Sequence, residues 1–152
     1  MKQIDTEEIA KLWFENMWSI PDLTIADKIV DPNYNPSWIY IDKKGPAQVK
    51  HEINYFRTIF PDLHYEIVEM RGEKDKVWIR YNARGTHLGD GWGFKATNKT
   101  VEFEGATILY LNPEGKVIDQ WGAFCFYDLF YELGVVPPFW ELHKYLDGNF
   151  HE

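Results

Sequence analysis

The chain is poor in several residue types that mark common function classes. Its 152 residues include one cysteine, Cys125. A single thiol forms no internal disulfide and makes no thiolate metal site. With Phe124 and Phe126 as neighbours, Cys125 reads as an inert buried thiol. No apolar run approaches the ~18 residues of a membrane span, and the opening "MKQIDTEEIAKLWF" does not read as a signal peptide. A soluble, cytoplasmic protein with no membrane partner is therefore expected. Positive charge is also scarce. The 16 Lys and Arg face 24 Asp and Glu, a net charge of −8. Without a basic patch, such a surface repels phosphate backbones, so nucleic acid is not an expected partner. Repeats and low-complexity linkers are missing too. One domain over residues 1–152 is expected, since a chain of this length buries roughly 70% of its unfolded surface.

What the chain has in abundance is rings: 7 Trp, 9 Tyr and 10 Phe. Large rings build a core, and they also line pockets for flat apolar ligands. The first 60 residues carry helical spacing. Asp5 and Glu8 suggest a capping box. Ile9, Leu12, Trp13 and Met17 then mark an amphipathic helix over 6–18, broken by Pro21. Ile25, Ala26, Ile29 and Val30 suggest a short second helix, and "DPNYNPS" (31–37) reads as loop. A short strand fits "WIYID" (38–42). Gly45-Pro46 opens a third helix with Val49, Ile53, Phe56 and Phe60 on its buried stripe, stopped by Pro61.

Beyond Pro61 the pattern becomes strand-like over 64–70, 76–87, 99–111 and 117–125. "RGEKDK" and "NPEGK" form hairpin turns, and the longer loop "LGDGWGFKATN" (88–98) joins the middle pair. Residues 126–133 turn helical, and Pro137-Pro138 starts a last helix ending near Gly148. Helices followed by an antiparallel meander imply an α+β fold, with N-terminal helices packed on a curved antiparallel sheet.

The stretches "FPDLHYEIVEM" (60–70), "VWIRYNARGTHLGD" (77–90), "VEFEGATILYLNPEGKVIDQW" (101–121) and "LFYELG" (129–134) resemble the SnoaL-like polyketide cyclases, of the NTF2-like (cystatin-like) fold. "NYNP" (33–36) echoes the family's H-N-P. The resemblance implies an α+β cone with a deep apolar cavity. It implies neither metal nor organic cofactor. It also implies cofactor-independent acid/base chemistry on an apolar carbonyl compound, by aldol cyclisation or a related isomerase or dehydratase step. Two other readings stay open: a non-catalytic binder or carrier of an apolar, even aromatic, small molecule, and a homodimeric interaction module.

An aldol step needs a base beside a carbonyl and a donor for the enolate oxygen. The family's pattern has Asp directly after the strand tryptophan and again three residues later. Here those positions are Gly122 and Cys125, and neither can replace a carboxylate. The proton carrier must then come from elsewhere. His87, at the end of "ARGTH", is the first candidate, either as an acid/base or as a histidine bonded at a strand end. Glu104 is the second, either inside the cavity or solvated at a dimer edge. Tyr34 and Asn35 can donate to a substrate oxygen or simply pack their loop. Strand alternation puts Ile118, Gln120, Gly122 and Phe124 on one face, with Gln120 orienting a ligand oxygen and Gly122 leaving room. Trp13 and Phe56 would oppose that wall. Trp38 and Trp92 are further pocket candidates, and the loop holding Trp92 is either a lid or a hydrophobic anchor. His51 and His64 are expected on the surface. Apolar residues on both strand faces suggest a homodimer through the outer sheet face.

Overall fold

The protein is described by a computed structural model covering residues 5–36 and 42–146. The element order is α1 (Thr6–Lys11), a π-helical continuation Leu12–Ser19, α2 (Thr24–Ile29) and α3 (Pro46–Ile59). Strands β1 (His64–Gly72), β2 (Lys76–Thr86), β3 (Thr100–Leu111) and β4 (Val117–Phe124) follow. The described chain ends in α4 (Phe126–Leu133) and a 3₁₀ turn at Phe139–Tyr145. The strands form one antiparallel sheet in the order β1-β2-β3-β4. The N-terminal helices pack on one face of it, as the switch of pattern at Pro61 predicts.

Asp5 caps α1 by accepting from the Glu8 amide at 3.1 Å. The helical stripe then continues, but not as an α-helix: from Leu12 the helix widens to the π form. A π turn hydrogen-bonds i to i+5, so Trp13 and Trp18 come to share a face with Phe14. All three are buried. The Arg57 guanidinium of α3 ties the end of this segment to the turn before β1. It donates to the carbonyls of Trp18, Ser19, Pro61 and Leu63 at 2.7–2.8 Å.

The expected strand over 38–42 and Trp38 lie outside the described residues, as does the end of the last expected helix at Gly148. Two departures from strict alternation matter for the site. The register passes from Tyr110↔Asp119 to Leu111↔Val117, so Ile118 is the extra residue of a β-bulge. The bulge resets the phase. Val117 is buried, while Ile118 is 39% exposed instead of facing inward beside Gln120. Second, β4 stops at Phe124 and Cys125 becomes the N-cap of α4. Its thiol is exposed, not buried, because it no longer belongs to the sheet.

Candidate functional site

Between the helices and the sheet lies a cavity of about 700 Å³. One wall is the π-helical segment with Trp13, Phe14 and Trp18. A second is α3, which contributes Glu52 and Phe56 and, at the exposed edge, His51 and Tyr55. The floor is the sheet: Tyr65, Tyr81, Thr107, Gln120, Gly122, Ala123 and Phe124. Trp92 and Phe126 close the remaining side.

The rings hold one another in place. Trp18 meets Phe56 and Tyr65 edge-on at 5.8 and 5.6 Å. Trp92 stands against Phe56, Phe60, Phe126 and Phe130 at 5.5–6.1 Å. Its loop is tied down rather than hinged. Leu88 and Gly89 donate to the Ile59 carbonyl, and Asp90 accepts from Lys95 and the Ala96 amide. Trp92 itself has a φ of 50°, a left-handed conformation that costs a bulky side chain energy and persists where the surroundings over-determine it. Of the two readings of this loop, the anchor fits.

The polar groups of the cavity are few and specific. Gln120 Oε1 accepts from the Tyr34 hydroxyl at 2.8 Å. Tyr34 is fully buried, held by its own N–H to the Asp31 carbonyl and by the Gly45 N–H to its carbonyl. The Nε2 end of the same amide is the one nearest Gly122. A Cβ placed on Gly122 would sit 3.6 Å from Gln120 Nε2 and 3.5 Å from Thr107 Oγ1. The missing side chain of Gly122 thus leaves a notch flanked by two hydrogen-bond donors.

Glu52 is the carboxyl of the cavity. Burial pushes it from 4.5 up to about 8, against the opposing pull of the Gln48 amide. Its Oε1 has no partner among the described residues. Glu52 also reaches electrostatically in two directions. After burial, it is the next cause raising the Tyr34 phenol well above its usual range. It also adds to burial and Tyr81 in raising the Tyr65 phenol.

The residues singled out from the sequence divide sharply. Trp13, Phe56, Trp92, Gln120, Gly122 and Phe124 are all on the cavity wall. Tyr34 stands behind that wall and acts on it through Gln120. Asn35 is exposed on its loop. His87 is buried away from the cavity, its ring 5.7 Å from Phe60. Its Nδ1 is 3.0 Å from Thr97 Oγ1 and accepts from the Thr97 amide at 3.2 Å. It pins the 88–98 loop, which its position at the end of β2 dictates. Glu104 points to the opposite face of the sheet, 73% exposed and 3.6 Å from Arg80, because its neighbours Phe103 and Gly105 take the inward places. Ile118 lies outside the cavity because of the bulge. His51 is exposed, as expected, and also borders the cavity.

Sequence reasoning passed over Glu52, Tyr65, Tyr81 and Thr107. Glu52 had a signal: it lies three residues after Val49 and four before Phe56, inside an apolar stripe. Among the described residues, no three His, Cys, Asp or Glu side chains converge as metal ligands would. No helix among them is long and apolar enough to cross a membrane.

Helices laid over one face of an antiparallel meander, with an aromatic cavity between, define the class of protein. Residues 8–132 match the family described as SnoaL-like polyketide cyclase. The chain belongs to that family. None of the curated proteins matches it in sequence. Solved structures resemble it over most of its length. TsrD from Streptomyces laurentii is 17% identical with a TM-score of 0.77, over 86% of this chain and 95% of that one. AclR from Streptomyces galilaeus, described as a candidate hydroxylase, is 24% identical with a TM-score of 0.71, over 88% and 100%. A SnoaL-like polyketide cyclase from Agrobacterium tumefaciens is 14% identical with a TM-score of 0.70, over 86% and 100%. At these identities the likeness carries the fold alone.

Proposed function

We propose that the protein catalyses proton transfer on a flat, apolar carbonyl compound held in this cavity, with Glu52 as the proton carrier. The observation that carries the reading is a single carboxyl among the described lining residues, raised by burial to about 8, in a cavity lined mostly by rings. The cyclases' strand carboxylates are replaced by Gly122 and Cys125, and Glu52 supplies from α3 what β4 lacks. A substrate carbonyl oxygen seats in the Gly122 notch, where Gln120 Nε2 and Thr107 Oγ1 donate to it. Ionised Glu52 takes a proton from the adjacent carbon. The electron pair moves onto the oxygen, and the two donors stabilise the enolate. Protonated Glu52 then returns the proton to the substrate. Tyr34 is a positioning residue, since its hydrogen bond fixes which end of the Gln120 amide faces the ligand.

Deuterium exchange into the carbons next to the carbonyl of 2-tetralone, followed by NMR, tests this. Exchange should rise with pH through a midpoint near 8, because only the ionised carboxyl accepts a proton. Glu52→Gln should slow it by about 10²- to 10⁴-fold. Equal rates for wild type and variant would overturn the reading. A carrier function is the second reading, favoured by the loss of both strand carboxylates. It predicts probe binding without any exchange.

The other face of the sheet supports a homodimer. Trp78, Ile108 and Trp121 lie in one cross-strand row, with the tryptophans about half exposed and Ile108 buried between them. Around this row Arg80 sits between Glu69 and Glu104, so charges of both signs are available to a second copy in antiparallel orientation.

A further inference from the structure

Two cavity hydroxyls remain without an assignment. Tyr65 on β1 and Tyr81 on β2 both line the cavity, with ring centroids 5.1 Å apart. Neither hydroxyl is hydrogen-bonded to another described residue. Burial pushes the Tyr81 phenol up to about 12 and the Tyr65 phenol well above its usual range, so both stay protonated donors at physiological pH. Phe14 braces both rings at 5.0 and 5.3 Å. Gly105 makes the arrangement possible: a Cβ there would lie 2.5 Å from the Tyr81 hydroxyl. The floor of the cavity has thus given up a side chain at two glycines, and each vacancy holds hydroxyl or amide donors.

We propose that Tyr65 and Tyr81 form a second hydrogen-bonding pole that selects ligands oxygenated at two well-separated positions. The inference rests on the reading of the cavity as the ligand site, and it adds to that site a specificity determinant. Gly105 pairs with Tyr81, and Thr107, two residues along β3, pairs with Gly122. Two residues along and one strand across place the poles on the order of 8 Å apart. That span is filled by one or two fused rings carrying an oxygen at each end. Burying a ligand hydrocarbon edge against two unpaired phenols would leave them unsatisfied, so a singly oxygenated ligand is disfavoured.

The test compares calorimetric affinities of 2-naphthol and 2,6-dihydroxynaphthalene. Wild type should bind the diol about tenfold more tightly, the effect of one added buried hydrogen bond. Tyr65→Phe and Tyr81→Phe, alone and together, keep the rings and remove the donors. They should bring the ratio towards one, with 2-naphthol bound at least as tightly as by wild type because no phenol is left unsatisfied against it. The single variants keep the test available if the double variant fails to fold, as judged by circular dichroism. An unchanged ratio in folded variants would overturn the second pole alone. Failure of either compound to bind folded wild type would overturn the ligand site itself.

Discussion

The two faces of the sheet are made by alternate residues of the same four strands, yet they are built for different purposes. On the helix-covered face, β2, β3 and β4 contribute Tyr81, Gly105, Thr107, Gln120 and Gly122, a floor of glycines and neutral donors under a carboxyl. On the open face the same strands contribute Trp78, Arg80, Glu102, Glu104 and Trp121. There charges are solvated and paired in water, where they are worth little. On the covered face a single carboxyl is pushed up to about 8 because partial burial strips away much of its solvation. The same residue type is therefore solvated and paired at Glu104 and desolvated at Glu52. Environment, rather than identity, separates the two.

The largest effect should come from removing the covered carboxyl. From pH 4.5 to 8 the unfolded chain ionises Glu52 while the folded chain keeps it protonated. Stability therefore falls as pH rises through that window and levels off above it. By pH 7 this amounts to roughly 3 kcal/mol. Glu52→Gln should abolish that slope in urea titrations repeated across the pH range. A variant retaining the full slope would place its origin elsewhere.

On the open face, Trp121→Glu should weaken self-association by about 2 kcal/mol or more in sedimentation, since a large ring at the centre of an interface carries much of its energy. Probe binding in the covered cavity should be unaffected. A wild type that sediments only as an 18.0 kDa species would contradict the dimer. Gly122→Leu fills the notch and should cost about tenfold in 2-naphthol affinity at unchanged melting temperature, because its Cβ meets nothing closer than 3.5 Å. The smallest effect belongs to the open-face charges. Arg80→Ala should change stability by no more than ~0.5 kcal/mol, as its carboxylate partners stand at 3.6 and 3.9 Å in solvent.

Much of this was legible in the sequence. The helix-to-strand change at Pro61 and the hairpins follow from periodicity and turn chemistry; alternation puts Gln120, Gly122 and Phe124 on one face, and the family resemblance turns that face to the cavity. What was not legible has physical reasons. Ile9, Leu12, Trp13 and Met17 fit α-helical spacing as they stand, so the widening to a π-helix over Leu12–Ser19 gave no warning. A bulge shifts phase without a composition cue, which misplaced Ile118. His87 and Glu104 drew attention as titratable groups on strands, but titration depends on burial and partners, which only the packing shows. Glu52 was hidden for the converse reason: on a helix surface a glutamate is ordinarily solvated.

The most direct measurement is the titration of the Glu52 carboxyl itself, by NMR of protein labelled with carbon-13 at the glutamate side-chain carboxyl. The Glu52→Gln variant identifies the resonance. A midpoint near 8 that moves when 2-naphthol is added is the predicted result. A midpoint at the ordinary 4.5, indifferent to the probe, would contradict a buried proton carrier in a ligand cavity.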